Sequence, residues 1–194
     1  MCNFVKNIFL SILENNYLFI EMRINAKVNC FVTNNCYGLK YYSLRKIQYN
    51  TCFIGLFIFA PCYIKLLENF DNIMKLPLTK SAKSKYLNNP VYPVGFLGDD
   101  IEIHFMHYKS FKEARDKWNR RKQRMLDIEE CTIKMDDRDG YTEEIGKRFV
   151  NLPYENKLLF LSRKNFFPSK YVIKTHYKNM CPNGKKLEED YTLF

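Results

Sequence analysis

A chain of 194 residues, 46% hydrophobic and 16% aromatic, can bury one core of ordinary size and is too short for two comfortable ones. Its formal charge of +10 favours an anionic partner, such as nucleic acid, a phosphorylated metabolite or anionic lipid, without choosing among them. The seven cysteines are scattered with no C-x-x-C pair, which argues against a zinc ribbon or a disulfide framework and predicts reduced, mostly buried thiols in a cytoplasmic protein.

Residues 1–25 form a first segment. Phe4, Val5, Ile8, Phe9, Ile12 and Leu13 recur at three- and four-residue steps, with Lys6, Asn7, Ser11 and Glu14 opposite, so an amphipathic helical extension is expected. Glu14, Asn15 and Asn16 interrupt the apolar run well before the roughly 20 residues that a membrane span needs. No small-residue cleavage site follows. Such a face either packs on the core or makes a peripheral membrane contact through residues 1–20.

Residues 26–177 read as a single α/β domain. A short β-rich run at 28–33 precedes a helix at 39–47, which begins after Gly38. The continuous apolar run 51–59 has the composition of a strand covered on both faces. Pro61 then opens a helix whose buried side carries Ile64, Leu67, Phe70 and Ile73 or Met74. Residues 78–89 are polar and basic between Pro77 and Pro90, as in an exposed loop.

Ile101, Ile103 and Phe105 alternate with Glu102, His104 and Met106, which predicts a central strand over 100–108. Ser110 stands three residues before Glu113, a capping box for a basic helix beginning at Phe111. Its packing side is Phe111, Ala114, Trp118 and Met125, and Lys112, Arg115, Lys117, Arg120, Lys122 and Arg124 form a basic stripe. A strand at 131–135, a helix at 143–150 capped by Thr142, and strands at 157–162 and 170–174 complete the domain. Residues 178–194 read as a polar, mobile tail. Strands alternating with helices imply a three-layer α/β/α sandwich with a mostly parallel or mixed sheet.

Ligands of open α/β sheets bind beyond the carboxyl ends of the strands, near the point where strand order reverses. That rule selects Asn34, Asn35 and Tyr37 after the first strand, His107 and Tyr108 after the central one, and Asp136, Asp137, Arg138 and Asp139 after the next. An offset of three sends His104 and His107 to opposite faces of a strand, which argues against shared metal ligation. His104 is expected as a buried, hydrogen-bonded structural residue, and His107 as a general base on an acceptor hydroxyl. Asp137 and Asp139 have the Asp-x-Asp spacing with which many sugar-nucleotide transferases hold Mg²⁺ or Mn²⁺ against a diphosphate. Asp139-Gly140 is also ordinary turn chemistry that needs no ligand. Asn34 and Asn35 are expected to hydrogen-bond the sugar, with Tyr37, Tyr108 and Arg138 completing the substrate-binding set. The common nucleotide, hydrolase and zincin signatures are absent. No nucleic-acid motif accompanies the basic stripe, so nucleic acid is not expected as a partner.

The runs FVTNNCYG, YNTCFIGLFIF with YIKLLENFDNIMKLPL, YPVGFLGDDIEIHFMHYKSFKEARDKWNRRKQRM, MDDRDGYTEE and NLPYENKLLF are similar to a bacterial family labelled exopolysaccharide biosynthesis proteins, whose members occur among capsule and lipopolysaccharide genes. The likeness spans residues 26–174. Tyr37 stands where an aromatic residue is usual in that family, and Cys52 where a proline is common. The resemblance implies an α/β fold and a role in surface glycans, and carries no established catalytic residues. The expected function is a cytoplasmic or membrane-associated transferase acting on a sugar nucleotide or a glycan acceptor. The alternative is a non-catalytic adaptor that docks on a glycan-assembly enzyme through the basic helix and the N-terminal segment.

Overall fold

The structure, a computed structural model, describes residues 30–193. The amphipathic helix expected over residues 1–25 lies outside them. In chain order the elements are β1 (Cys30–Thr33), α1 (Leu39–Arg45), α2 (Ala60–Glu68), α3 (Phe70–Lys75), β2 (Leu78–Lys80), β3 (Val94–Leu97), β4 (Ile101–His104), α4 (Phe111–Lys122), β5 (Cys131–Asp136), α5 (Glu143–Val150), β6 (Lys157–Leu161), β7 (Val172–Lys174) and α6 (Gly184–Asp190). No helix among the described residues is long and apolar enough to cross a membrane.

Four strands form an all-parallel sheet in the order β1-β5-β6-β7, and the other three form a small antiparallel sheet in the order β2-β3-β4. The α/β class is as expected, but the central strand belongs to the smaller sheet. Alternation along each parallel strand then divides the core. Cys30, Val32, Ile133, Met135, Leu159 and Leu161 pack with α2 and α5 in one cluster. Phe31, Leu158 and Phe160 pack with Tyr41 and Tyr42 of α1 and Leu187 of α6 in another. The parallel sheet is thus covered on both faces, giving three layers.

The apolar run 51–59 forms no strand of its own. It threads between the sheets, with Phe57 bridged to His104 by two 2.9 Å backbone hydrogen bonds and the Ile58 N–H donating to the Asn34 carbonyl at 2.9 Å. Phe53, Leu56 and Ile58 are fully buried. Continuous apolar composition reports burial on every side, and an irregular segment wedged between two sheets satisfies it as well as a strand does.

The cysteine expectation is corrected at one pair. Cys30 and Cys131 stand opposite each other in the β1–β5 register, 4.7 Å apart at Cα, and are joined by a disulfide. Their separation of 101 residues in the chain conceals that adjacency. Cys36, Cys52, Cys62 and Cys181 are free and buried, as expected.

The polar tail is corrected as well. Residues 184–190 form α6, whose Leu187 is buried, and Cys181 and Leu193 on either side are buried too. Glu188 accepts the backbone N–H groups of Lys40, at 3.0 and 3.1 Å, and of Tyr41 at 3.3 Å. First-turn N–H groups such as these have no acceptor within their own helix, and the N-cap of α1, Gly38, has no side chain to offer them.

Candidate functional site

The carboxyl ends of β1 and β5, the turn after β4 and the start of α6 enclose a cavity of about 500 Å³. Its lining includes Asn35, Cys36, Phe57, Met106, His107, Arg138, Asp139, Asn183, Gly184 and Lys185. Asn35, His107, Arg138 and Asp139, selected from three separate places in the sequence, therefore meet at one cavity. A second cavity of about 500 Å³, between the 80–94 loop and residues 109–111, contains none of the expected residues.

Under the first cavity lies a closed polar cluster. Lys134 and Asp136 are two apart on β5, so they share a face, and both are fully buried. The Lys134 ammonium is paired directly with the Asp136 carboxylate, and it also donates to Asn35 Oδ1 at 3.1 Å and Asn34 Oδ1 at 3.4 Å. The amides complete the ring by donating to Asp136 from Asn35 at 2.6 Å and from Asn34 at 3.3 Å. A buried ion pair is tolerable when its remaining donors and acceptors are satisfied in this way. Asn34 thus serves this cluster and does not line the cavity, whereas Asn35 does both. Lys134 escaped the sequence reading, although two charged residues at alternate positions of an otherwise apolar strand are a signal of such a pair.

Residues 8–191 match the family described as "Domain of unknown function (DUF1919)". The chain belongs to that family. An uncharacterized protein of Haemophilus influenzae (strain ATCC 51907 / DSM 11121 / KW20 / Rd) is 37% identical over 156 residues, covering 80% of this chain and 72% of the relative. The DUF1919 match runs through α6, so the wall that composition marks as a tail lies within the family domain.

The two aspartates proposed as a metal pair have separate surroundings in this DUF1919 chain. Asp137 is buried, and its carboxylate accepts from Ser162 N at 2.9 Å and Ser162 Oγ at 2.5 Å, Asn165 Nδ2 at 2.9 Å and Cys181 N at 2.7 Å. Burial opposes its charge, but hydrogen bonds from Ser162, Cys181 and Asn165 outweigh it and hold the carboxyl below its ordinary value. Its oxygens are occupied in fastening the chain after β6 and the segment before α6. Asp139 faces the cavity, 3.8 Å from Arg138 Nε. There burial raises its pKa, against the pull of the Arg138 charge. No group of three or more His, Cys, Asp or Glu side chains among the described residues is arranged to hold a metal. The donor set does not fit a metal bridged by Asp137 and Asp139.

Asp139 also makes the turn that the alternative reading anticipated. Its φ of 50° and that of Gly140, 82°, are both left-handed, and its carbonyl accepts the Ala60 N–H at 2.8 Å, at the start of α2. Turn and cavity wall are one structure here, because the left-handed conformation that reverses the chain is one aspartate adopts readily.

His107 is exposed on the cavity rim, beside Gly55, whose carbonyl accepts its backbone N–H at 3.3 Å. His104 is fully buried as expected, stacked 4.5 Å from the Phe57 ring. Its Nε2 lies 2.7 Å from Glu102 Oε1, in a fully buried contact. Burial lowers the His104 pKa against the opposing charge of Glu102. Tyr37 and Tyr108 lie outside the first cavity. Tyr37 is fully buried, with its hydroxyl donating to the Tyr191 carbonyl at 2.6 Å and its ring 5.2 Å from Lys134 Nζ. Tyr108 is buried on the other side of His107, its hydroxyl 2.5 Å from the Ile54 carbonyl.

Gly184 and Lys185 could not be found by a strand-end rule, because they come from α6. Gly184 is fixed by contact. A Cβ there would overlap Asn35 Oδ1 and stand 2.5 Å from Tyr37 N.

Proposed function

We propose that this protein is a transferase of surface-polysaccharide assembly, acting on a sugar nucleotide or a glycan acceptor. The observation that supports this reading is the meeting of Asn35, His107, Arg138 and Asp139 at one cavity of about 500 Å³, within the usual range for small-molecule sites. In it, Arg138 and Lys185 neutralise the diphosphate of the donor, a task that guanidinium and ammonium groups perform without a bridging metal. His107 takes the proton of the acceptor hydroxyl. Asp139, whose pKa burial has raised, accepts hydrogen bonds from the sugar. The apolar part of the lining, Phe57 and Met106, offers a surface for the face of a sugar ring. In this reading the protein works at a membrane surface, with contact through residues 1–20.

The test is complementation of glycan assembly by His107→Ala, together with titration of the protein with a panel of nucleotide sugars. Removing a general base typically lowers the rate by about 10²- to 10⁴-fold. Undiminished glycan assembly by His107→Ala would remove the base from this scheme. Silence toward every nucleotide sugar, with co-purification of a synthesis enzyme, would replace the transferase by the adaptor.

A further inference from the structure

Beside the candidate site's cavity, on the far side of His107, is a smaller one of about 230 Å³. His107 and Leu39 line both, so the two cavities share these residues as a common wall. The smaller cavity is lined by Arg121, a member of α4 that the stripe pattern did not include. It is only 8% exposed.

A buried guanidinium normally faces a carboxylate, since an uncompensated charge away from water is strongly disfavoured. Arg121 has none within 4 Å among the described residues. Its Nη1 donates to the Tyr108 hydroxyl at 2.6 Å and to the Ile54 carbonyl at 3.3 Å, both neutral oxygens. Its guanidinium carbon lies 4.7 Å from the centre of the Tyr49 ring. Nε and Nη2 meet no acceptor among the described residues. A second cation, Lys117, lines the same cavity, 5.4 Å from the centre of the Tyr108 ring, and shares its charge with Glu113 at 2.7 Å. The balance of charge at the cavity is positive, and the buried Arg121 has no anionic partner among the described residues.

We infer that the smaller cavity is an oxyanion subsite, in which the free edge of the Arg121 guanidinium receives a phosphate or a carboxylate next to His107. A planar fork of donors matches two oxygens of either group, and the Tyr49 ring fixes the plane in which the fork lies. The volume admits a small anionic group and falls below the range of whole cofactor sites. The subsite stands on its own geometry. Resting on the proposed transferase reading, it further assigns the oxyanion to the second reactant, an acidic sugar or sugar phosphate whose hydroxyl His107 deprotonates.

The test is titration of the intact chain with inorganic phosphate and, separately, with glucuronate at constant ionic strength, followed by calorimetry and by the Arg121 Nε–H resonance. Saturable one-to-one binding of at least one anion, with movement of that resonance, is expected. The anion that binds distinguishes a phosphate ester from a sugar acid. Arg121→Gln should weaken binding by about 10- to 100-fold, the worth of a charged hydrogen bond. Lys117→Gln, at a half-buried position already paired with Glu113, should weaken it by up to about fivefold, the scale of a solvent-screened charge. Absence of saturable binding by both anions overturns the subsite. So does an unmoved Arg121 resonance in the wild-type chain, which is read without any variant having to fold, or binding that Arg138→Gln abolishes and Arg121→Gln leaves intact. Oxyanion binding with no nucleotide-sugar binding would keep the subsite and discard the transferase.

Discussion

The two faces of the parallel sheet are built from the same alternation and solve different problems. Toward α2 and α5, the residues Val32, Ile133, Met135, Leu159 and Leu161 need only fill space. Toward α1 and α6, the same strands place Lys134 and Asp136 among Phe31, Leu158 and Phe160, where each charge needs named partners. The apolar face can be repacked by volume, while the polar one works only as a set. That set lies directly beneath the cavity and holds Asn35 at its wall.

The largest expected effect breaks the set. Lys134→Met leaves Asp136 buried without its cation and should destabilise the fold by about 3–5 kcal/mol in urea denaturation. Adding Asp136→Leu should return part of that loss, since it removes the stranded charge. A cost near that of an ordinary surface change, or no recovery in the double variant, would mean that the two faces do not differ as described.

A smaller effect is expected where α6 closes the polar face. In Gly184→Ala the new methyl meets Asn35 and the Tyr37 backbone, so α6 must shift, at about 1–3 kcal/mol by the usual scale of overpacking. The same variant should bring earlier amide exchange in α6 than in α5. Equal exchange in both helices would remove α6 from the cavity wall as a fixed element.

The smallest effect depends on pH. The folded Asp137 carboxyl titrates below its ordinary value of 3.8, so its contribution to stability is complete above that pH and is lost as pH falls through the depressed folded value. Asp137→Asn should lack that share of the acid loss. If the acid limbs of wild type and variant coincide, the four hydrogen bonds to Asp137 are not what secures the segment before α6.

Legibility in the sequence followed the range of the signal. The bounds of α5 come out as read, residues 143–150, because Thr142 caps it locally by accepting the Ile145 N–H at 3.3 Å. The Ser110 cap of α4 is equally local, accepting the Glu113 N–H at 3.2 Å. Residues 51–59 were readable as buried but not as irregular, since what surrounds them is two sheets assembled from distant parts of the chain. The tail misled because Cys181, Leu187 and Leu193 are dispersed among charged residues, and their burial depends on Tyr37 and Phe160 far away in sequence. The site was legible to the extent that strand ends converge, which brought in Asn35, His107, Arg138 and Asp139. The separate engagements of Asp137 and Asp139 were not legible, because the donors that occupy Asp137 lie 25 to 44 residues downstream.

The Cys30–Cys131 bond encloses a covalent ring containing α1 to α4 and the whole antiparallel sheet. The segment 79–85, with three lysines for a trypsin-like protease and mostly exposed residues, lies inside that ring. A chain nicked there keeps both fragments on one molecule, so His107 and Asp139 on the later fragment stay tethered to Asn35 on the earlier one until a reductant opens the ring.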